Sequence, residues 1–162
     1  DWCAGYHYNS KTIAGFSHMH LSGTGIGDWC DISVLPLTDT NEIRKEKIKI
    51  PFSHANESAK PGYYFVQLDN KVKCELTANE RTGFHRYTFP NKDVWLRFDM
   101  GFRINWDQST NGMLRLVNDS TVVGYRYSTG WAKVQKVYFA ARFSSAIKNY
   151  FFMDDTAHTA KR

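Results

Sequence analysis

The residues best suited to chemistry are crowded into Gly15-Phe16-Ser17-His18-Met19-His20-Leu21-Ser22-Gly23-Thr24-Gly25-Ile26-Gly27-Asp28-Trp29-Cys30-Asp31. His18 and His20 are two apart, so on an extended backbone both imidazoles leave from one face. The Gly23-Thr24-Gly25-Ile26-Gly27 run cannot continue as a regular strand or helix. Glycine at alternate positions permits positive φ, or a close approach to the backbone. Asp28, Trp29 and Asp31 then stand at the far lip of that loop. An indole face flanked by carboxylates suits a sugar, whose apolar C–H side stacks on the ring while its hydroxyls bond to the acids. A second reading stands beside it, in which Trp29 plugs the space under the loop and Asp28 and Asp31 order it.

Other chemistries lack support in the same residues. An His-x-His pair alone does not make a zinc site, and no Cys-x-x-Cys or His-Glu-x-x-His spacing supplies further ligands. No metal ligand is therefore assigned. The glycine run lacks the Gly-Lys-Ser/Thr ending of a phosphate loop, and no helical pattern follows it. Glycoside hydrolysis needs two carboxyl groups held across the scissile bond. Asp28, Asp31 and Glu57 are candidates, but no spacing places any pair that way, and no catalytic residue is assigned. His54, Asn56 and Glu57 form a second polar group, and His85-Arg86 a third. Both read as structural, with Glu57 capping a local turn and Arg86 pairing across strands.

The elements that must hold these residues are strands. Thr12-Ile13-Ala14 and Ile32-Ser33-Val34-Leu35 flank the loop. Tyr63 to Leu68, Val72 to Asn79, Gly83 to Phe89, Val94 to Asp99, Gly112 to Asn118, Thr121 to Tyr127 and Val134 to Phe143 follow, with alternation of period two. Asp69-Asn70 and Asn118-Asp119-Ser120 read as tight turns. Helix signals are thin: Asn56 to Lys60 fits one turn before Pro61-Gly62, and Phe143 to Tyr150 is ambiguous. Many short strands with turn signals between them predict an all-β fold, a two-sheet β-sandwich. Residues 1–153 read as one domain and 154–162 as a linker or disordered tail.

Composition bounds the rest. The chain has 162 residues, about one domain's worth. The net charge of +5 forms no Lys/Arg stripe, and RNA-binding signatures are missing, so no nucleic-acid partner is expected. The mixed run Glu42-Ile43-Arg44-Lys45-Glu46-Lys47 reads as a solvated hairpin flank. No apolar run approaches the roughly eighteen residues of a membrane span. Asp1-Trp2-Cys3 carries no signal-peptide pattern. Cys3, Cys30 and Cys74 allow at most one disulfide, and nothing selects the pair. Cys74 alternates with Val72 and Leu76 and points inward.

Four blocks in order carry a family resemblance. They are the Gly15–Asp31 stretch, then Phe52-Ser53-His54-Ala55-Asn56-Glu57-Ser58-Ala59-Lys60-Pro61-Gly62-Tyr63-Tyr64, then Glu75 to Ala78 with Gly83 to Pro90, and last Gly124-Tyr125-Arg126-Tyr127-Ser128-Thr129-Gly130-Trp131-Ala132. Together they resemble the N-terminal domain of the glycoside hydrolase family 92 α-mannosidases. The resemblance implies a supersandwich of the galactose-mutarotase-like kind, incomplete here at its start. It also implies an (α/α)6 helical domain, absent from this chain, that supplies the catalytic acid, the base and Ca2+, and inverts configuration.

On that resemblance the chain is expected to position mannose-containing glycans through Trp29, Asp28, Asp31, His18 and His20, with the helical domain as its partner. Trp29 resembles the tryptophan that shapes the leaving-group subsite in α-1,2-type members. Ca2+ belongs to the parent enzyme and is not expected in this piece, which is expected to be inactive alone. Family members are mostly bacterial and exported, implying a periplasmic or extracellular location. The alternative is a stand-alone carbohydrate-binding module or a structural interaction domain.

Overall fold

The computed structural model describes residues 5–21, 25–45 and 47–153, with the backbone of Ala160–Lys161. It divides into two compact units, Asp1–Trp106 and Asp107–Arg162. The first holds β1 (Thr12–Ile13), β2 (Met19–His20), β3 (Trp29–Asp31), β4 (Ser33–Leu37), the single-turn helix α1 (Thr40–Ile43), β5 (Ile50–Lys60), β6 (Tyr63–Leu68), β7 (Lys73–Ala78), β8 (Gly83–Thr88) and β9 (Trp95–Asp99). The second holds β10 (Gln108–Asn118), β11 (Thr121–Thr129), β12 (Gln135–Arg142), β13 (Phe151–Phe152) and β14 (Ala160–Lys161). The all-β sandwich class expected from the alternation is the class observed.

In the first unit five strands run in the order β1-β5-β6-β7-β8, every neighbour antiparallel. Alternation explains its buried side: Ile50, Phe52, Val66, Leu68 and Cys74 turn inward while their neighbours face out. Asn70 makes the β6–β7 turn, its Oδ1 accepting from Val72 N at 3.2 Å. β4 pairs with β9 and is buried along its whole length, consistent with its apolar sequence. Asp39 caps α1 by accepting from Asn41 N at 2.8 Å. The mixed-charge run expected to flank a hairpin therefore begins as a helical turn.

Asn56 to Lys60 is strand, not helix. Glu57, Ser58, Ala59 and Lys60 each face a partner in β6, from Val66 to Tyr63, after an irregular register that follows Phe52. One isolated helical turn has too little cooperativity to compete with a ladder of cross-strand bonds. Phe143 to Tyr150 is likewise not helical; Phe143 N and Ile147 N donate to Ser120 O and Asp119 O.

The second unit is the sheet β10-β11-β12 with the β13–β14 ribbon. On β11, Val122, Gly124, Arg126 and Ser128 are buried, while Val123, Tyr125 and Tyr127 occupy the other face. Asn118-Asp119-Ser120 turns as expected, with Ser120 N donating to Asn118 Oδ1 at 3.0 Å. Of the expected tail 154–162, only the Ala160–Lys161 backbone lies within the described residues.

Candidate functional site

The loop singled out in the sequence is built on a short ribbon. β2 and β3 pair antiparallel, Met19 with Asp31 and His20 with Trp29, with a register shift between Met19 and His20. Ser22, Gly23 and Thr24 lie outside the described residues. The chain re-enters β3 in an unusual conformation: Trp29 has φ 73° and Cys30 φ 61°. Left-handed backbone at non-glycine residues costs about 1–3 kcal/mol each and persists only where the surroundings enforce it. Asp28 supplies part of that enforcement, its Oδ1 accepting the Trp29 N–H at 2.8 Å. Asp28, Cys30 and Asp31 are buried, and Trp29 is half-buried. The two carboxylates therefore sit inside the lip and the indole is the part that solvent reaches.

His18 and His20 are both exposed, as expected of residues sharing one face, but their partners differ. His18 Nδ1 lies 2.9 Å from Ile32 O, and since a carbonyl only accepts, that nitrogen carries the proton. The His18 ring stacks on His85, with centroids 4.8 Å apart and planes 3° apart. Gly83 is required by this contact: a methyl there would come within 2.7 Å of His18 Cδ2. Burial, reinforced by the charge on His18, pushes His85 down to about 4, so it is neutral at pH 7. Its Nδ1 lies 2.7 Å from the Tyr87 hydroxyl. His20 Nε2 lies 2.6 Å from Ser17 Oγ, and desolvation of its ring, then His18, holds it below its ordinary value.

The second polar group is more organised than a turn cap. Glu57 accepts at Oε1 from Tyr6 (2.9 Å) and from His54 Nδ1, and at Oε2 from Tyr64 (2.7 Å). Burial alone would raise this carboxyl, but the bonds from His54, Tyr64 and Tyr6 outweigh it and hold it below the usual range. Burial and Glu57 in turn push the Tyr6 hydroxyl up to about 12. His54 Nε2 is buried without a hydrogen-bond partner among the described residues. Tyr6, Tyr8 and Tyr64 were not singled out by spacing; the Tyr6-x-Tyr8 alternation beside the loop was the available signal.

The third group is a cross-strand pair, as expected of Arg86. It faces Glu75 in register and grips it with Nε and Nη2 at 2.6 and 2.5 Å, while Tyr63 donates to the same carboxylate at 2.7 Å. The bonds from Arg86, then from Tyr63, hold Glu75 down at about 2. In the second unit, Arg126 is 1% exposed and reaches Asp107 at 3.4 Å, and Ser128 donates to Gln135 at 2.7 Å. Trp131 is 59% exposed. Its turn is closed by Gly130 N donating to Ala132 O. Cys30 and Cys74 are buried, and burial pushes the Cys74 thiol up to about 12; Cys3 lies outside the described residues.

A shallow hollow of about 300 Å³ lies on β6–β8, lined by Gln67, Lys71, Lys73, Thr88, Phe89 and Pro90. None of the loop residues lines it. Among its described residues the loop presents one indole and two imidazoles. Among the described residues no three His, Cys, Asp or Glu side chains converge as a metal site.

Comparison with known proteins agrees with the four sequence blocks. The model of the glycosyl hydrolase family 92 N-terminal domain matches residues 1–162. The structure of a family GH92 alpha-mannosidase from Bacteroides thetaiotaomicron, solved with mannoimidazole, is 38% identical with a TM-score of 0.83. It covers 94% of this chain, and the chain covers 21% of it. The same enzyme without that ligand gives the same identity and score, with 22% of its length covered. A protein of Arthroderma benhamiae described as an uncharacterized secreted glycosidase is 28% identical over 97 residues, 56% of this chain and 13% of the relative. The chain therefore spans about a fifth or less of the length of the proteins it matches.

Proposed function

Since the chain belongs to the glycosyl hydrolase family 92 N-terminal domains, we propose that it is the substrate-positioning part of an enzyme that hydrolyses α-mannosides. Trp29 is the observation that carries this reading. It stands half-exposed on a backbone that L residues rarely adopt, tethered by Asp28 and continuous with His18 and His20. Strain of this kind collects where a side chain must be aimed. An indole aimed at solvent offers a sugar its apolar face. In this role Trp29 shapes the subsite for the residue on the leaving-group side, with α-1,2-linked mannose as the substrate class. Asp28 and Asp31 hold the lip's shape from within, and His18 and His20 offer ring nitrogens to hydroxyls.

Proton transfer is assigned to a helical domain outside this chain, and positioning lowers the barrier by ordering the sugar before chemistry begins. Ca2+ is assigned there too. No step here passes through it. The secreted relative supports an extracellular or periplasmic setting, and no helix among the described residues is long and apolar enough to cross a membrane.

Isothermal titration with α-1,2-mannobiose tests the reading. The expected result is no measurable heat for the chain alone, binding when the helical domain is joined to it, and at least a tenfold loss of that binding in Trp29→Ala. Binding by the chain alone that Trp29→Ala abolishes would overturn it in favour of a free-standing carbohydrate-binding module. Unchanged affinity in the joined Trp29→Ala protein would remove Trp29 from the site.

A further inference from the structure

Outside the Trp29 loop, Tyr8 of the first unit is presented as a sugar needs it. Tyr8 is 66% exposed, yet it is not loose. Its ring lies parallel on the His54 imidazole, with centroids 4.3 Å apart and 11° between planes. Parallel contact covers one face and leaves the opposite face to solvent. The backing ring is itself fixed. Its Nδ1 bonds to Glu57, and Phe52 meets it edge-on at 5.2 Å and 83°. Glu57 is in turn held by Tyr6 and Tyr64. A ring fixed through two layers loses little freedom when a ligand stacks on it, so little of the binding energy is spent on ordering it.

The segment carrying Tyr8 leads away from the loop. Trp29 pairs with His20, and Gly5 packs against that imidazole: a methyl at Gly5, whose φ is +82°, would stand 3.1 Å from His20 Nε2 and 3.8 Å from Cys30 Sγ. Three residues span at most about 11 Å, which bounds the chain distance from Gly5 to Tyr8. Two half-buried tyrosines of the second unit are arranged differently. Tyr125 and Tyr127 stack on each other at 4.6 Å, and Lys136 Nζ lies 5.2 Å over Tyr127. Both take part in contacts on their own sheet, whereas Tyr8 has its ring backed by His54 and is 66% exposed.

We propose that Tyr8, backed by His54, is a second sugar-stacking platform, taking the C–H face of a pyranose further along the glycan whose end Trp29 positions. The proposal rests on the mannoside reading above, and it adds that the protein distinguishes longer mannans from disaccharides. Steady-state kinetics on the full-length protein test it, with α-1,2-mannobiose beside an α-1,2-mannotetraose. Tyr8→Ala is expected to raise KM for the tetraose roughly three- to tenfold, the span of one aromatic stacking contact. It leaves kcat and both constants for the disaccharide unchanged. Tyr8→Phe and Tyr8→Trp, which keep a ring on His54, restore the wild-type KM. An equal effect on both substrates, or none on either, overturns the platform while the mannosidase reading stands. Failure of the wild type to turn over either substrate overturns both.

Discussion

The Asp28–Asp31 loop and strand β11 both bury charged groups, and they do so in opposite ways. On β11 the backbone is regular, and alternation alone sends Arg126 and Ser128 inward to Asp107 and Gln135. Tyr125 and Tyr127, on the opposite face, meet their own neighbours. In the loop, Asp28 and Asp31 are just as buried, but they lie beside left-handed backbone at the half-buried Trp29. A buried polar group on a regular strand completes the fold. A buried polar group beside an enforced, strained turn holds something else in place. The difference sets the two regions apart without any reference to residue type, since both contain aspartate and aromatic rings.

The largest effect expected from this contrast is on the scaffold side. Arg126→Ala leaves Asp107 buried opposite a cavity and is expected to cost about 3–5 kcal/mol, read as a fall in the urea midpoint. Replacing both partners with apolar residues, Arg126→Met with Asp107→Leu, is expected to recover most of that loss. A single-variant cost below about 1 kcal/mol would mean that the pair is not the internal strut described here.

A second effect comes from the histidine stack behind the loop. A histidine whose folded value is depressed binds its proton less readily when folded than when unfolded. Stability is therefore full above pH 6.5 and falls as the pH drops from about 6.5 toward the folded value of about 4. At about 1.4 kcal/mol per unit, the displacement of His85 is on the order of 3 kcal/mol. Glu57, depressed below its ordinary range, adds a loss in the same direction as the pH falls through the carboxylate region. His85→Phe keeps an aromatic ring under His18 and is expected to flatten the pH 4 to 6.5 part of the melting-temperature profile. An unchanged slope would place the acid sensitivity elsewhere.

The smallest stability effect, and the most telling, is at the site. Trp29→Gly removes the left-handed strain while giving up the packing of a half-buried ring. These terms oppose each other, so the melting midpoint is expected to move by no more than about 1 kcal/mol equivalent. Mannoside binding by the joined protein is expected to fall at least tenfold. A loss of stability as large as that of Arg126→Ala would make Trp29 a core plug, the bland alternative its sequence leaves open.

Much of the fold was legible because period-two alternation survives wherever one face of a strand is buried. β6, β7 and β8 lie within two residues of where the pattern puts them, and Cys74 points inward as its apolar neighbours imply. Asn56–Lys60 was not legible. Its residues tolerate a helical turn, and only pairing with β6 makes them strand. The reach of Arg86 to Glu75 followed from adjacency in sequence of two alternating strands. The role of Glu57 did not, because Tyr6 comes to it from a distant segment.

By itself the sequence determined the fold class, the family and the loop to watch, since each is written in local pattern: alternation, turn residues and four ordered blocks. Tertiary structure alone decided what those residues touch. The burial of both aspartates, the His18–His85 stack and the Tyr8–His54 stack depend on contacts between segments far apart in the chain. Such contacts form only once the hydrophobic faces have closed, and no spacing along one strand encodes which distant ring will meet it.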